Sequence, residues 1–204
     1  MTSPVEYAAF AGTAPDDVWS DVAELFIETF TAEPYAEDAA ELATITKWGS
    51  DQLGHVSGRL ITARRGDQLV GFALAHGLRD DAPWRGILSQ LADSADAAAT
   101  ALSRPDEALI VHELAVRESE RGRGIAGGCL RGLLSDCPES QVFIGVYERA
   151  LKARAMYRHW RLEDIGQVPM PDGAVALHVL TAPTATLRVQ LDDSASRQGA
   201  AIDS

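Results

Sequence analysis

Arg121-Gly122-Arg123-Gly124-Ile125-Ala126 follows an apolar run at residues 109–116 and opens a helix-like stretch at 125–134. A strand, a glycine-rich turn with arginines and a helix in this order suit a pyrophosphate. The glycines let the backbone come close to a ligand, and the first helical N–H groups point at it. A third glycine and a Gly-Lys-Ser/Thr ending are both missing, which argues against the two common nucleotide fingerprints. We therefore expect another phosphate-bearing cofactor.

The length and composition are those of one soluble globular domain. The chain has 204 residues, of which 46% are hydrophobic and 24% are charged. No apolar run approaches the roughly 20 residues that span a membrane, and residues 1–10 lack the basic and apolar regions of a signal peptide. Cys129 and Cys137 are expected to be free thiols rather than a disulfide or a zinc site. These features predict a cytoplasmic protein with no membrane contact and no metal.

The negative charge is concentrated in the first part of the chain. The net charge is −12, and residues 1–46 contain ten acidic side chains but no lysine or arginine. Such a chain is a poor candidate for nucleic-acid binding. The acidic block is either a solvated face that aids solubility or a field that attracts a cationic substrate.

Hydrophobic periodicity and turn signals divide the chain into helices and strands. Helices are predicted at 16–31, 37–54, 125–135 and 150–159, and strands at 59–64, 69–75, 109–116, 141–147, 162–168 and 174–181. Turns at 66–67 and 169–173 are predicted to join the first two and the last two strands. Residues 79–107 are predicted to form a helical insertion, and the tail from about 192 is predicted to be disordered.

This order of elements, with an Arg-x-x-Gly-x-Ala turn at a strand-to-helix junction, resembles the GCN5-related N-acetyltransferase (GNAT) family. Arg121, Gly124 and Ala126 match the family's Gln/Arg-x-x-Gly-x-Gly/Ala motif. Ala153-x-x-Met156-Tyr157 is similar to the helix that carries the family's near-invariant tyrosine. The resemblance implies a single-domain α/β fold over residues 1–182, followed by a C-terminal segment at 183–204. Its mixed, twisted central sheet of about six to seven strands is flanked by helices.

The resemblance also implies acetyl-CoA as the acyl donor. Its pyrophosphate would be held by the turn, which comprises Arg121, Gly122, Arg123, Gly124, Ile125 and Ala126. Its pantetheine arm would pair with backbone groups of Leu114, Ala115 and Val116, and Tyr157 would protonate the departing thiolate. Two positions depart from the family's pattern. Arg161 replaces the glycine of Tyr-x-x-x-Gly-Phe, and residues 147–150 lack the asparagine with which many members bind the cofactor.

Acetyl transfer to an amine also needs a base that removes the ammonium proton. The candidates are His112 and Glu113, which are neighbours on the strand at 109–116. Because side chains alternate along a strand, the two are expected to point to opposite faces. Some members of the family carry a histidine or glutamate at the matching position. His112 is favoured over Glu113, because an imidazole has a suitable unperturbed pKa of about 6.5. Either residue is alternatively a buried polar group or a substrate contact.

In this family the first two helices and their connection form part of the wall of the acceptor site. The acidic block at residues 1–46 overlaps these elements. Glu33, Tyr35 and Glu37 are therefore the predicted substrate-binding residues. The predicted function is N-acetylation of a cationic small molecule, such as an aminoglycoside, a polyamine or a related metabolite, by direct attack in a ternary complex. The alternatives are a protein lysine or N-terminal acetyltransferase and a non-catalytic acetyl-CoA-binding regulatory module. The insertion, with Trp84 as an apolar anchor, is expected either to cover the acceptor or to form a homodimer interface.

Overall fold

The computed structural model describes residues 3–170 and 175–202. The strands are β1 (Val5–Phe10), β2 (Arg59–Arg65), β3 (Gln68–Gly77), β4 (Ala108–Val116), β5 (Gln141–Tyr147), β6 (Glu163–Pro169) and β7 (Ala176–Pro183). The α-helices are α1 (Asp16–Phe30), α2 (Ala39–Leu42), α3 (Ile45–Leu53), α4 (Ala82–Ser89), α5 (Asp96–Ser103), α6 (Ile125–Leu134), α7 (Leu151–His159) and α8 (Thr184–Ile202). Short 3-10 helices lie at Leu78–Asp80, Pro105–Glu107 and Glu118–Glu120. Over the described residues, no helix has the length and apolar character needed to cross a membrane.

The seven described strands form one mixed sheet in the order β1-β2-β3-β4-β5-β7-β6. β2 is antiparallel to β1 and β3, and β7 is antiparallel to β5 and β6, whereas β4 and β5 are parallel. The predicted mixed α/β fold, with six to seven strands flanked by helices, is confirmed. The chain divides into two compact units. Unit 1 comprises Met1–His76, Glu113–Asp136 and Leu191–Ser204, and unit 2 comprises Gly77–His112 and Cys137–Gln190.

Unit 1 is built around α1 and the β2–β3 hairpin. Asp16 and Asp17 occupy the first turn of α1, where carboxylates stabilise the positive end of the helix dipole. The apolar stripe of α1 is buried against side chains of α3, β2 and β3, and this core includes Val18, Val22, Leu25, Phe26, Ile45, Leu60 and Phe72. Gly66, with φ of +58°, supplies the left-handed residue of the predicted hairpin turn.

The insertion belongs to unit 2, where α4 and α5 are packed onto strands. Their buried side chains share one core with strand residues, and this core includes Trp84, Leu88, Leu91, Ala98, Ile110, Phe143 and Val179. Trp84 is only 8% exposed. Its apolar surface is therefore already buried within the chain, so Trp84 does not act as an exposed anchor for a partner.

Three segments differ from the expectation. β1 does not appear in the predicted elements because its residues are mostly exposed and lack apolar alternation. The helix predicted at 37–54 is divided into α2 and α3, with Thr44 as the N-cap of α3. The tail from 192 continues as α8 to Ile202, and Leu187 and Leu191, which are four residues apart on that helix, are fully buried. Part of the predicted turn at 169–173 lies outside the described residues.

Candidate functional site

The glycine-rich turn connects β4 to α6 in unit 1. Gly122 and Gly124 have φ of +78° and +79°, a backbone conformation that residues with a Cβ rarely adopt. Gly124 is the N-cap of α6, and no side chain in the described part of the chain caps this helix. The first N–H groups of a helix have no partner within the helix. The turn therefore presents backbone donors and a positive helix end to an anion.

Glycines also set the position of α6 against the sheet. A Cβ added to Gly128 would overlap the Tyr7 hydroxyl on β1, and one added to Gly71 on β3 would lie 2.6 Å from Ile125 Cγ2. Ile125 itself is 2% exposed. These close approaches hold the first two turns of α6 against β1 and β3.

Two arginines of the turn are available for an anionic ligand. The side chains of Arg121 and Arg123 are 44% and 52% exposed. Arg121 Nε donates to the Val116 carbonyl oxygen at 3.1 Å, which holds the guanidinium beside the strand end. Arg121 Nη1 lies 4.0 Å from Glu118 Oε1 and Arg123 Nη1 lies 3.4 Å from Glu120 Oε2, but both arginines stay far more exposed than Arg117, whose side chain is 15% exposed. Both guanidinium groups can add charge to the backbone donors of the turn.

Arg117 has a different environment. Its side chain is 15% exposed, and its Nε donates to the Leu69 carbonyl oxygen at 3.3 Å. Its guanidinium also forms ion pairs with Glu24 and Glu28 on α1. Arg117 therefore stabilises the attachment of α1 to the strands and contributes no free charge to the turn.

The predicted pantetheine segment occupies the end of β4. The parallel ladder with β5 runs from Ala108↔Gln141 to Val111↔Ile144. Leu114, Ala115 and Val116 follow after the last of these pairs. Ala115 is buried in the core of unit 1, and the Arg117 N–H donates to the Val70 carbonyl oxygen at 2.9 Å, which anchors this end of β4 to β3.

Unit 1 brings several predicted site residues into mutual electrostatic range. Burial raises the pKa of the Glu113 carboxyl well above its usual value, and the negative charge of Glu37 adds to the shift. Burial also raises the pKa of the Tyr35 hydroxyl; Arg121 opposes this shift, whereas Glu113 and Glu37 reinforce it. Glu113, Glu37 and Tyr35 therefore lie within electrostatic range of one another, and Tyr35 also lies within range of Arg121; we call these first three residues the acidic cluster.

The loop after α1 holds two members of this acidic cluster. The Tyr35 N–H donates to the Ala32 carbonyl oxygen at 3.0 Å, and the Glu37 N–H donates to the Phe30 carbonyl oxygen at 2.9 Å. The rings of Tyr35 and Phe30 lie 4.6 Å apart between centroids. Tyr35 and Glu37 are half-buried, whereas Glu33 is exposed. The loop therefore directs Tyr35 and Glu37, but not Glu33, into partly buried surroundings.

His112 and Tyr157 are the site candidates of unit 2. His112 Nε2 lies 2.9 Å from Asp81 Oδ2. The imidazole also packs edge to face against the Trp84 ring, with 6.5 Å between the two ring centroids. Asp81 also accepts the Trp84 N–H at 3.0 Å and so caps α4. A carboxylate partner at this distance fixes the orientation of the imidazole ring. Tyr157 is buried on α7, and its ring meets that of Trp160 at 6.1 Å between centroids.

At the end of α7, Arg161 replaces the glycine of the family's Tyr-x-x-x-Gly-Phe pattern without changing the backbone turn. Arg161 has φ of +60°, in the left-handed region that the glycine of the family's pattern would occupy. The Leu162 N–H donates to the Tyr157 carbonyl oxygen at 3.1 Å and closes the helix end. The backbone thus keeps the turn that this glycine normally permits.

The family model described as the acetyltransferase (GNAT) family matches residues 19–160, more than two thirds of the chain. This chain belongs to the GNAT acetyltransferase family. The match and the fold together identify the protein as an N-acetyltransferase, and GNAT enzymes use acetyl-CoA as the donor. No curated protein sequence shows significant similarity to this GNAT chain.

Solved structures share the fold at low sequence identity. An acetyltransferase of the GNAT family from Bacillus cereus has a TM-score of 0.58 at 11% identity, over 89% of this chain and 98% of that one. A second similar structure is that of diaminobutyrate acetyltransferase EctA from Paenibacillus lautus, in complex with L-2,4-diaminobutyric acid and coenzyme A. Its TM-score is 0.54 at 18% identity, over 89% of this chain and 96% of that one. The ribosomal-protein-S18-alanine N-acetyltransferase from Escherichia coli has a TM-score of 0.58 at 9% identity, over 89% of this chain and 94% of that one.

The pairing of Asp81 with His112 was absent from the sequence prediction. Asp81 has a local signal, because an acidic residue two positions before proline is typical of a helix N-cap, but its pairing with His112 has none. The cysteines behave as expected for inert thiols. Both are free and buried, and burial raises the pKa of Cys129 to about 12, so almost no thiolate forms at neutral pH.

Proposed function

We propose that this GNAT protein acetylates an amine of a cationic small molecule by direct attack on acetyl-CoA in a ternary complex. The observation that carries the proposal is the acidic cluster of Glu113, Glu37 and Tyr35 beside Arg121. Two carboxyl groups and a half-buried aromatic ring are suited to an ammonium group, through ion pairing and cation–π attraction. EctA, a structural relative, was solved with diaminobutyric acid, a small amine-bearing substrate.

The residues of the turn fit the proposed donor. Backbone N–H groups from Gly122 to Ala126, together with Arg121 and Arg123, would hold the pyrophosphate. Leu114, Ala115 and Val116 would supply backbone groups to the pantetheine arm, as the family resemblance implies. When bound, acetyl-CoA supplies the thioester whose acetyl group is transferred.

The proposed chemistry needs one base and one acid. A base takes a proton from the acceptor's ammonium, the free amine forms a bond to the thioester carbon, and the carbon–sulfur bond breaks. Tyr157 gives a proton to the leaving thiolate, and the second proton that the amine nitrogen loses on becoming an amide restores the Tyr157 hydroxyl. Glu113 is our first candidate for the base, because its raised pKa brings the carboxyl closer to the operating pH. His112, held by Asp81, is the alternative.

An acceptor screen tests the proposal. The purified protein is incubated with acetyl-CoA and separate polyamine, aminoglycoside, diamino-acid and N-terminal peptide acceptors, and free thiol is measured. We expect turnover with at least one cationic small molecule. Turnover on peptides alone would favour a protein acetyltransferase, and binding of acetyl-CoA without turnover would favour a regulatory module.

Charge-neutral variants then locate the acceptor site. Glu37→Gln is expected to raise the acceptor KM roughly two- to fivefold, the effect of losing one partly exposed ion pair. Glu33→Gln tests the other predicted acid of the loop. Glu41→Gln, an exposed change on α2, is the matched control. If the Glu37 and Glu41 variants have the same acceptor KM as the unchanged protein, the acidic cluster does not bind the acceptor. The KM for acetyl-CoA should stay constant throughout.

Cytoplasmic location and homodimer formation stay predictions. The free cysteines are typical of a reducing compartment. Size-exclusion chromatography with light scattering measures the oligomeric state directly.

A further inference from the structure

Arg154 on α7 connects this helix to the ends of three strands in unit 2. Its Nη1 donates to the carbonyl oxygen of Glu148, which follows β5, at 3.2 Å. Its Nη2 lies 3.7 Å from Asp164 Oδ2 on β6 and 3.4 Å from His178 Nδ1 on β7.

The acidic partner in this cluster is itself held in place. Asp164 Oδ2 lies 2.7 Å from His178 Nδ1, and Asp164 Oδ1 accepts the Gly166 N–H at 3.2 Å where the β6–β7 register shifts. The Arg154 and His178 side chains are only 20% and 13% exposed. Hydrogen bonds with a charged member are stronger than neutral ones, and solvent screens this cluster less than an open surface pair.

A guanidinium is better suited than an ammonium to contacting several strand ends at once. Its five N–H donors lie in a rigid plane, so one side chain can contact the Glu148 carbonyl and the Asp164 carboxylate at once. Three strand ends that are joined through one rigid group restrain both the rotation of α7 about its axis and its sliding along the sheet.

Tyr157 follows Arg154 by three residues and therefore projects from a neighbouring position on the same helix surface. We propose that Arg154, held by Asp164 and His178, is a positioning residue that sets the rotation of α7 and thereby the orientation of the Tyr157 hydroxyl. The inference rests on the proposed role of Tyr157 as the acid. A displacement of about 1 Å at a reacting group can lower a rate by roughly a hundredfold.

A double-mutant cycle tests the inference in the full-length protein. It uses Arg154→Met, Tyr157→Phe and the combined variant, with the acceptor identified in the screen. Arg154→Met is expected to lower kcat roughly tenfold or more, with a smaller change in the KM for acetyl-CoA. In the Tyr157→Phe background the same change should lower kcat less than twofold. Arg158→Met, an exposed change on the same helix, is the matched control and should leave kcat unchanged.

The outcomes separate the inference from the proposed function. If Tyr157→Phe leaves kcat unchanged, the acid assignment fails and the inference fails with it. If Tyr157→Phe lowers kcat but Arg154→Met does not, or if the two losses multiply, only the positioning role is wrong. Asp164→Asn is the milder second variant in case Arg154→Met does not fold; it should lower kcat in the same Tyr157-dependent way. Arg154→Lys should recover less than half of the lost kcat.

Discussion

At the scale of single residues, Glu113 is the group whose chemistry depends most on its surroundings. Its neighbour Glu37 and its burial both favour the protonated carboxyl. A cationic acceptor would reverse this preference, because an ammonium group can take the place of the proton as the neutralising charge. Glu113 can therefore be neutral in the free enzyme and charged with the acceptor bound.

Glu113→Gln should change how stability depends on pH. The native state holds the Glu113 proton more tightly than the unfolded chain. The resulting stabilisation is therefore complete below the ordinary carboxyl pKa of about 4.3 and is lost as the pH rises through the raised value. The glutamine variant should gain stability relative to the unchanged protein over that interval, as measured by Tm against pH. Glu41→Gln should follow the unchanged protein, and a Tm gap that does not depend on pH would contradict the raised pKa.

Arg161→Gly should stabilise the protein. A residue with a Cβ in the left-handed region is disfavoured by roughly 1–2 kcal/mol, and glycine is not. After the greater chain entropy of glycine is subtracted, we expect a gain of about 0.5–1 kcal/mol in the free energy of unfolding. Arg158→Gly, inside α7, should instead lose about 1 kcal/mol. Chemical denaturation measures both, and equal losses would show that Arg161 is not strained.

At the scale of elements, the conformation of the junction between β4 and α6 both turns the chain and exposes backbone N–H groups. Gly122 and Gly124 take left-handed conformations, and the start of α6, which no side chain of the described residues caps, lies directly after them. The contacts of Gly128 with Tyr7 and of Gly71 with Ile125 keep this helix end in place. The same glycines that allow the chain to turn therefore leave its N–H groups open to an anion.

Gly122→Ala should separate the structural and binding roles of the turn. Gly12 is the matched control, since its φ is +73° and a Cβ at either glycine meets no atom within 4 Å. Each change should destabilise the protein by roughly 1–2 kcal/mol. Only Gly122→Ala should also raise the KM for acetyl-CoA. An equal rise for Gly12→Ala would assign the effect to lost stability alone.

At the scale of the whole molecule, the acidic block has more than one role. Asp21 forms an ion pair with Arg64, and Glu24 and Glu28 form ion pairs with Arg117. Asp38 caps α2 through the N–H groups of Ala40 and Glu41. Several of the ten acids thus stabilise unit 1, and the net charge of −12 still produces a negative field around the protein.

This net charge predicts different salt effects on the kcat/KM values of the two substrates. Raising the ionic strength from about 0.01 M to about 0.1 M shortens the Debye length from about 30 Å to about 10 Å. The kcat/KM for a cationic acceptor should fall over this interval, because attraction is screened. The kcat/KM for acetyl-CoA should not fall as steeply, because the global field repels this anion while the turn attracts it. Steady-state kinetics with each substrate varied in turn measures both kcat/KM values. A kcat/KM for the acceptor that does not change with salt would contradict electrostatic recruitment.

The sequence by itself was sufficient for the family, most elements and the glycine-rich turn before α6. Left-handed glycines, an apolar strand and a helix start are local features, and local sterics and hydrogen bonding determine them. The β2–β3 hairpin followed from Gly66 for the same reason. β1 was missed because an exposed edge strand carries little apolar periodicity, and α8 was missed because Leu187 and Leu191 need a tertiary partner for their burial.

Only the tertiary structure decided which side chains interact. Glu37 and Glu113 are far apart in the chain, and so are Asp81 and His112, and Arg154 and His178. No spacing rule connects such pairs, because the packing of whole elements sets their distances. Burial then changes the chemistry of the groups: desolvation raises the pKa of Glu113, whereas exposed Glu33, in the same acidic block, lies outside the acidic cluster. Sequence determined the glycine-rich turn, our proposed donor site, through local backbone geometry, and the fold determined the candidate acceptor site through long-range contact and burial.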